Sequence, residues 1–160
     1  QIPEQDINDV AVSSTKIRTA LLDGDVALAA NYLGYNFSLH GRVIKGDKIG
    51  RTIGFPTANI FVEETYKLIP SDGIYAVTVE LNNQVFKGMA YIGQRPTING
   101  MTRNIEVNIF DFNQEIYGQD ITMTFLEFLR HDVKFTGLEA LKEQLQKDKE
   151  ATLDYFRKSS

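Results

Sequence analysis

The feature that most constrains this sequence is a run of strand-like segments between residues 35 and 130, with no helical period between them. In each segment, β-branched and aromatic residues alternate with polar ones, and Gly, Asn or Pro separates it from the next. Parallel strands need a crossover connection, usually a helix, whereas antiparallel strands are joined by short turns. About six successive strands without such helices therefore favour a mainly β fold, an antiparallel barrel rather than a parallel α/β sheet. The clearest turn is Asn82-Asn83, which predicts a tight hairpin.

Helical patterns flank this run on both sides. Residues 13–23 and 26–33 have capping residues and apolar spacing that predict two short helices, each closed by a glycine. Near the C-terminus, apolar residues from Leu138 to Phe156 are spaced for one face of a longer helix. We expect this last helix to pack on the barrel and to close one of its openings.

Composition narrows the classes of function. The chain has 160 residues, 42% of them hydrophobic, and no cysteine, which is typical of one cytoplasmic globular domain without disulfides or thiolate metal sites. A net charge of −4 argues against nucleic acid as a partner. No apolar stretch approaches the ~18 residues of a spanning helix, so no membrane partner is expected either. Any phosphate ligand must therefore meet a local basic cluster.

One loop supplies such a cluster. Lys45, Lys48 and Arg51 lie among several glycines, whose bare backbone lets N–H groups approach an anion closely. The loop lacks the Gly-Lys-Ser/Thr ending of a Walker motif, and a strand follows it instead of a helix. Thr57 and Asn59 lie two residues apart on that strand, so both project to the same side and offer neutral oxygens to a hard cation. We interpret the segment as a cradle for a magnesium nucleotide; the alternative is that both side chains merely satisfy backbone groups.

A carboxylate in a later strand is the candidate for chemistry. Alternation over residues 103–110 puts Glu106 and Asn108 on one side of the strand and β-branched residues on the other. Glutamate is depleted in strand interiors, so Glu106 is either a solvent-facing residue or a functional one. Beside a phosphate loop, it would be the general base that a phosphotransferase acting on an alcohol needs.

Several of these segments, in this order, resemble those of riboflavin kinases. The resemblance is carried by Pro-Thr-Ala-Asn at 56–59, Gly-Met-Ala-Tyr-Ile-Gly-Gln-Arg-Pro-Thr at 88–97, Ile-Glu-Val-Asn-Ile-Phe at 105–110 and Phe-Leu-Arg-His-Asp-Val-Lys-Phe at 128–135. The sequence is most similar to the kinase module of the bacterial bifunctional riboflavin kinase/FAD synthetases, over residues 35–156. This implies a six-stranded Greek-key barrel with a C-terminal helix. It also implies phosphorylation of the ribityl 5′-hydroxyl of riboflavin by ATP and Mg²⁺ to give FMN, with no tightly bound organic cofactor.

Residue by residue, the resemblance implies the parts of a substrate site. Thr57 and Asn59 match the family's magnesium-nucleotide residues, and Glu106 matches its catalytic base. The family usually has histidine where this chain has Asn108, so any role of that imidazole does not carry over here.

Other positions match residues that contact the substrates. The matches on the nucleotide side are Gly46, Arg51, Gly54, Asp111 and Tyr117. The matches in the loop that closes over the flavin are Arg130 and Lys134.

The first residues resemble a different part of the bifunctional enzymes. Val-Ser-Ser-Thr-Lys-Ile-Arg at 12–18 looks like the closing motif of the adenylyltransferase half, in which serine and arginine help to hold nucleotide phosphates. The His-x-Gly-His site of that half does not occur in this sequence. We therefore expect residues 1–34 to be the end of an adenylyltransferase domain with a linker, and residues 35–160 to be the kinase domain. FAD synthesis is expected to need the longer parent enzyme.

Two other classes of function stay open at this point. A flavin- or nucleotide-binding module without catalysis is compatible with Asn108 in place of histidine. An oligonucleotide-binding barrel suits the strands but not the acidic net charge, and base stacking would call for aromatic residues beside a basic groove. The presence of Glu106 and of Pro-Thr-Ala-Asn favours the kinase. Formation of FMN from riboflavin and ATP would separate the three.

Overall fold

The structure is a computed structural model that describes residues 14–44, 54–62, 68–97 and 100–159. The described residues form a sheet flanked by helices at both ends of the chain. Its strands are β1 (Ser38–Ile44), β2 (Ala58–Phe61), β3 (Gly73–Leu81), β4 (Gln84–Thr97), β5 (Gly100–Ile109) and β6 (Asp120–Arg130).

The sheet closes on itself as a barrel in the order β1-β2-β5-β4-β3-β6, with every neighbouring pair antiparallel. Strands β3, β4 and β5 follow one another directly, and β6 returns to lie beside β3, which is a Greek-key arrangement. The predicted hairpin is confirmed: Asn82 and Asn83 have φ of 52° and 65°, as the central residues of a type I′ turn require. The predicted six-stranded antiparallel Greek-key barrel is therefore confirmed.

Alternate side chains of the strands fill the interior of the barrel. On β5, Ile105 and Val107 belong to the main buried cluster, while Glu106 between them projects to the outer face. Tyr75 of β3 and Phe125 of β6 are fully buried and meet edge to face, with ring centroids 5.3 Å apart. The centre of the barrel is thus a packed core, and the polar side chain of Glu106 lies on the outer face.

Two short helices precede the barrel, as predicted. Helix α1 covers residues 14–22 and α2 covers Val26–Leu33. The Asp25 side chain accepts a hydrogen bond from the Leu28 N–H at the start of α2. Gly34 ends α2 with φ of 83°, a left-handed conformation that favours glycine.

Both short helices dock on the barrel. Ala20, Leu21, Val26 and Ala29 are buried within the same cluster as the strand residues. The carbonyl of Leu21 also accepts a hydrogen bond from the Ser71 N–H, just before β3. Burial of these small apolar faces explains how such short helices, which are marginal in isolation, become stable. The domain boundary at residue 34 stays a prediction.

The C-terminal helix α3 (Leu138–Ser159) lies against the outer surface of β3, β4 and β6. Its Leu145 and Leu153 pack on a second cluster that includes Ile74 and Met89. Both of these residues alternate along their strands with members of the interior cluster, so they project outward. The helix therefore covers one wall of the barrel. The sequence-based expectation that it closes one of the openings is wrong, because its contacts are with outward-facing strand residues. Among the described helices, none combines the length and the apolarity needed to cross a membrane.

Candidate functional site

A cleft of about 260 Å³ lies between the outer face of the barrel and the first turns of α3. Its walls are mostly apolar and come from four strands, β3 to β6, from the segments before β2 and after β6, and from the helix. These apolar residues are Phe55, Ile74, Met89, Val133, Phe135, Leu141 and Leu145. The polar residues are Thr57, Tyr91, Glu106, Asn108, Arg130 and Asp132. A mostly apolar cleft with a few convergent polar groups is typical of a small-molecule site.

Glu106 lies at the polar end of this cleft, where three strands meet. It is opposite Asn59 of β2 on one side and opposite Tyr91 of β4 on the other. Its Oε1 accepts a hydrogen bond of 2.9 Å from the Thr57 hydroxyl, and its Oε2 accepts one of 2.7 Å from the Asn104 side-chain amide. The sequence alternative of a merely solvent-facing carboxylate does not describe this position, because Glu106 is half-buried and bonded at both oxygens.

Thr57 and Asn59 both lie beside this carboxylate. Asn59 is only 4% exposed, and its Oδ1 has no hydrogen-bond partner among the described residues. A buried acceptor without a partner costs about 1–3 kcal/mol, so it needs an explanation such as an ion. Carbonyl and hydroxyl oxygens are ligands that Mg²⁺ accepts together with phosphate oxygens. In the part of the chain that the structure describes, no cluster of three acidic or histidine side chains offers an all-protein metal site. The residues present thus fit a cation that is held jointly with a nucleotide.

Asn108, which stands where the resembled family usually has histidine, is buried beside the same site. Its side-chain N–H group donates a 2.7 Å hydrogen bond to the carbonyl of Pro56, the residue before Thr57. This bond ties β5 to the chain that leads into β2. Asn108 therefore contributes to holding Thr57 where its hydroxyl reaches Glu106.

Tyr91 links the barrel wall to the segment that follows β6. Its hydroxyl donates a hydrogen bond of 3.1 Å to Oδ2 of Asp132. A β-carbon at Gly93 would lie 2.1 Å from that hydroxyl oxygen, so glycine at this position gives the Tyr91 ring room to lie along the strand. Burial raises the pKa of Tyr91 above its ordinary value, and the negative charge of Asp132 raises it further. The phenol therefore stays a hydrogen-bond donor at neutral pH.

This raised pKa predicts how stability depends on pH. Because the phenol ionises less readily in the folded chain, its contribution to stability is complete below the ordinary tyrosine pKa of 10.0 and is lost as pH rises above it. The Tyr91→Phe variant lacks the ionisable group. We expect the difference in unfolding free energy between wild type and Tyr91→Phe to shrink when urea titrations are moved from pH 7 to about pH 10.5. A difference that stays constant over this range would contradict the prediction.

Arg130 lies in the wall of the cleft, but most of its guanidinium is directed at α3. Its Nε and one terminal nitrogen donate 2.7 Å hydrogen bonds to the two carboxylate oxygens of Asp148, which is 3% exposed. Gln144 donates to the same carboxylate, and the other terminal nitrogen of Arg130 donates to the carbonyl of His131. The predicted flavin contact is therefore a residue that also fixes the helix to the end of β6. Lys134, the other predicted flavin contact, is exposed and is not among the residues lining the cleft.

A second, smaller crevice of about 80 Å³ lies on the other side of Thr57 and is lined by two of the predicted nucleotide residues. Thr57 and Tyr117 line it, whereas Asp111 and Gly54 do not. Asp111 is exposed in the turn after β5, with φ of 56°, and Gly54 is exposed with φ of 88°. Thr57 is thus the side chain shared by the cleft and the crevice.

Two of the predicted nucleotide residues, Gly46 and Arg51, lie outside the described residues, as do Lys45 and Lys48. Their roles stay predictions.

The sequence reasoning missed several residues that build this site. Asn104 and Tyr91 are ordinary strand residues by pattern: Asn104 lies two residues before Glu106 on β5, and the strand register places Tyr91 opposite Glu106. Asp148 was visible as a charge that interrupts the apolar stripe of α3. That signal, an acid on the buried face of a helix, predicts a basic partner without naming it.

Taken together, a closed Greek-key barrel, an apolar cleft on its outer wall and a hydrogen-bonded carboxylate in that cleft are the features of a barrel protein with a candidate small-molecule site. A family model for riboflavin kinases, the flavokinase domain, matches residues 33–156. The chain belongs to the riboflavin kinase family.

Individual relatives agree with this assignment. The chain is 46% identical over 151 residues to the bifunctional riboflavin kinase/FMN adenylyltransferase of Bacillus subtilis, covering 92% of this chain and 48% of that protein. It is 47% identical over 146 residues to the enzyme of the same name from Haemophilus influenzae, covering 91% of this chain and 47% of that one. The chain thus spans about half the length of these curated relatives.

A solved structure shares the fold. The crystal structure of a protein from Streptococcus pneumoniae, described as a macrolide-efflux protein, matches with a TM-score of 0.81 and 42% identity. The match covers 87% of this chain and 45% of that one. The overall fold is therefore shared over most of this chain with a structure determined by crystallography.

Proposed function

We propose that this chain transfers the γ-phosphoryl group of ATP to the ribityl 5′-hydroxyl of riboflavin, giving FMN and ADP. The observation that carries the proposal is the position of Thr57 and Glu106. Thr57 borders both the apolar cleft and the crevice, and its hydroxyl is bonded to Glu106. A phosphoryl donor in the crevice and an alcohol acceptor in the cleft would therefore meet at a general base.

The cleft suits the acceptor. Phe55, Met89, Phe135 and Leu145 offer apolar walls to a flat aromatic ring system such as the flavin ring. With the ring between barrel and helix, the polyhydroxylated chain extends toward the polar end, where Glu106 and Asn108 lie. Exclusion of water by these apolar walls would favour transfer to the alcohol over hydrolysis of ATP.

Thr57 and Asn59 are the residues that would hold a divalent cation, which we take to be Mg²⁺. When bound, the cation supplies charge neutralisation to the phosphate oxygens. The buried, unpartnered Oδ1 of Asn59 supports this role. The Thr57 hydroxyl can donate a hydrogen bond to Glu106 while the lone pairs of its oxygen remain available to the cation.

The reaction balances with the residues present. The 5′-oxygen of riboflavin forms a bond to the γ-phosphorus as the bond from that phosphorus to the β–γ bridging oxygen breaks. The hydroxyl proton goes to Glu106, and ADP leaves with the bridging oxygen. Positioning and electrostatic stabilisation are the main contributions that such a site makes to phosphoryl transfer.

One assay tests the proposed function. The chain is incubated with riboflavin, ATP and Mg²⁺, and FMN is measured by chromatography. We expect FMN to form in proportion to enzyme concentration, with one ADP for each FMN. Flavin binding without turnover would support the alternative of a binding module and would overturn the proposal.

Substitution of the cation ligands gives a further prediction. We expect Thr57→Ala and Asn59→Ala to weaken Mg-ADP binding by about tenfold or more, and riboflavin binding by much less, because the side chains removed face the nucleotide and cation. Isothermal titration with each ligand measures both affinities. Asn36→Ala, at an exposed residue before β1, is the matched control. Equal affinity of wild type and both variants for Mg-ADP would contradict the prediction.

The longer enzyme is a further part of the proposal. This chain spans about half the length of relatives that are named riboflavin kinase/FMN adenylyltransferase. These names and the Ser-Ser-Thr-Lys-Ile-Arg motif at 13–18 support a parent protein that also adenylylates FMN to FAD. Residues 1–34 would then be the end of the adenylyltransferase domain and its linker. We propose a cytoplasmic location, where ATP is abundant. Small-molecule substrates rather than nucleic acid or membrane fit the acidic net charge of −4.

A further inference from the structure

The carboxylate of Glu106 has a second anchor besides Thr57. Asn104 lies two residues earlier on β5, so its side chain projects to the same outer face. Its amide nitrogen donates a 2.7 Å hydrogen bond to Oε2 of Glu106. Across the strand pair, Asn104 is opposite Gly93, over which the Tyr91 ring lies.

The other polar groups around Glu106 have different partners. Tyr91 lies directly opposite on β4, and its hydroxyl donates a hydrogen bond to Asp132. Arg130, in the wall of the same cleft, is bonded to Asp148 and to the carbonyl of His131. Among the described residues, the hydrogen bonds that Glu106 accepts come only from the hydroxyl of Thr57 and the amide of Asn104.

The two anchors are not equivalent. Thr57 is also a proposed cation ligand, so its orientation depends on what is bound there. Asn104 has no such second role in the cleft, since it is absent from the lining of both the cleft and the crevice. Its hydrogen bond to Glu106 therefore does not depend on the proposed cation.

We propose that Asn104 is a positioning residue for the general base of the reaction. By fixing Oε2, it sets the rotation of the carboxylate so that a remaining lone pair of Glu106 faces the hydroxyl of the acceptor. It lies outside the lining of both the cleft and the crevice, and in this proposal it acts through Glu106. The inference rests on the proposed kinase function, and it adds a residue that the family resemblance did not assign.

This role is tested by comparing the effect of substitutions at Asn104 on kcat with their effect on KM. We expect Asn104→Ala to lower kcat by about tenfold, on the scale of one hydrogen bond to a charged group, with KM for riboflavin and for Mg-ATP within about twofold of wild type. Asn104→Asp has the same shape but lacks the N–H donor and adds a like charge, so we expect a larger loss of kcat. Because aspartate and asparagine are similar in size, Asn104→Asp can be tested even if Asn104→Ala does not fold. Asn36→Ala is the control.

A double-substitution cycle separates positioning from a general structural effect. If Asn104 acts through Glu106, then Asn104→Ala should change the residual rate of a Glu106→Gln enzyme by less than about twofold. The same tenfold loss in that background would overturn the proposal, as would a kcat for Asn104→Ala and Asn104→Asp equal to that of wild type. Absence of FMN formation by wild type would instead overturn the proposed function itself, and the two failures are thus distinguishable.

Discussion

Glu106→Gln is expected to lower kcat for FMN formation by about 10²- to 10⁴-fold, the usual range for loss of a general base. Glutamine has nearly the same shape and can still accept the hydrogen bond from Thr57, but it cannot take a proton from the riboflavin hydroxyl. Binding of riboflavin and Mg-ADP should change little, because the apolar walls of the cleft and the neutral oxygens of Thr57 and Asn59 remain. Steady-state kinetics and titration of each ligand measure the two effects separately.

The matched control is Glu80→Gln, an exposed glutamate on β3 of the same barrel. It removes one negative charge from the chain, as Glu106→Gln does, but far from the cleft lining. We expect wild-type turnover in this variant. Wild-type turnover in Glu106→Gln would remove that residue from the role of base.

Asp148→Ala is expected to lower the free energy of unfolding by about 3–5 kcal/mol, because it leaves the guanidinium of Arg130 without its buried partner. The pair is bidentate, with both distances at 2.7 Å, and the two side chains are only 19% and 4% exposed. Chemical denaturation monitored by circular dichroism measures the loss. Since Arg130 fixes α3 to the end of β6, riboflavin binding should weaken as well.

Two further variants make this prediction specific. Asp154→Asn breaks an ion pair with Arg157 on the same helix, but both side chains are more than half exposed, so we expect a change below about 1 kcal/mol. Replacing both partners of the buried pair, as in Arg130→Met with Asp148→Leu, should recover much of the stability lost in the single variant. Equal effects of Asp148→Ala and Asp154→Asn would contradict the assigned role of the buried pair.

Much of the fold could be predicted because local patterns and the global fold agree. Strand alternation predicts which residues of β5 point inward, and the positive φ of Asn82 and Asn83 is what an Asn-Asn turn favours. The face of the barrel that α3 covers could not be predicted in this way. It depends on outward-facing residues of β3 and β4, Ile74 and Met89, that read as core residues in a one-dimensional pattern.

The placement of the candidate site residues could be predicted where they share a motif, but not where they meet only in space. Thr57 and Asn59 occur two residues apart, and the register of β2 with β5 brings Asn59 opposite Glu106. The hydrogen bond from Tyr91 to Asp132 joins residues 41 positions apart, and no local pattern contains it. The roles assigned to all of the predicted site residues stay predictions; these residues are Gly46, Arg51, Gly54, Thr57, Asn59, Glu106, Asp111, Tyr117, Arg130 and Lys134.

The location of the cleft on the outer wall has a consequence for how such an enzyme can diversify. The barrel core and the strand residues of the cleft alternate along the same strands, and the opposite wall comes from α3 and from the segment after β6. Substitutions at Leu141 and Leu145 can therefore reshape the acceptor pocket while the hydrophobic interior that sustains folding is untouched. Leu145 also packs in the second hydrophobic cluster, whereas Leu141 is not part of either cluster, so Leu141 is the natural place to engineer acceptance of flavin analogues.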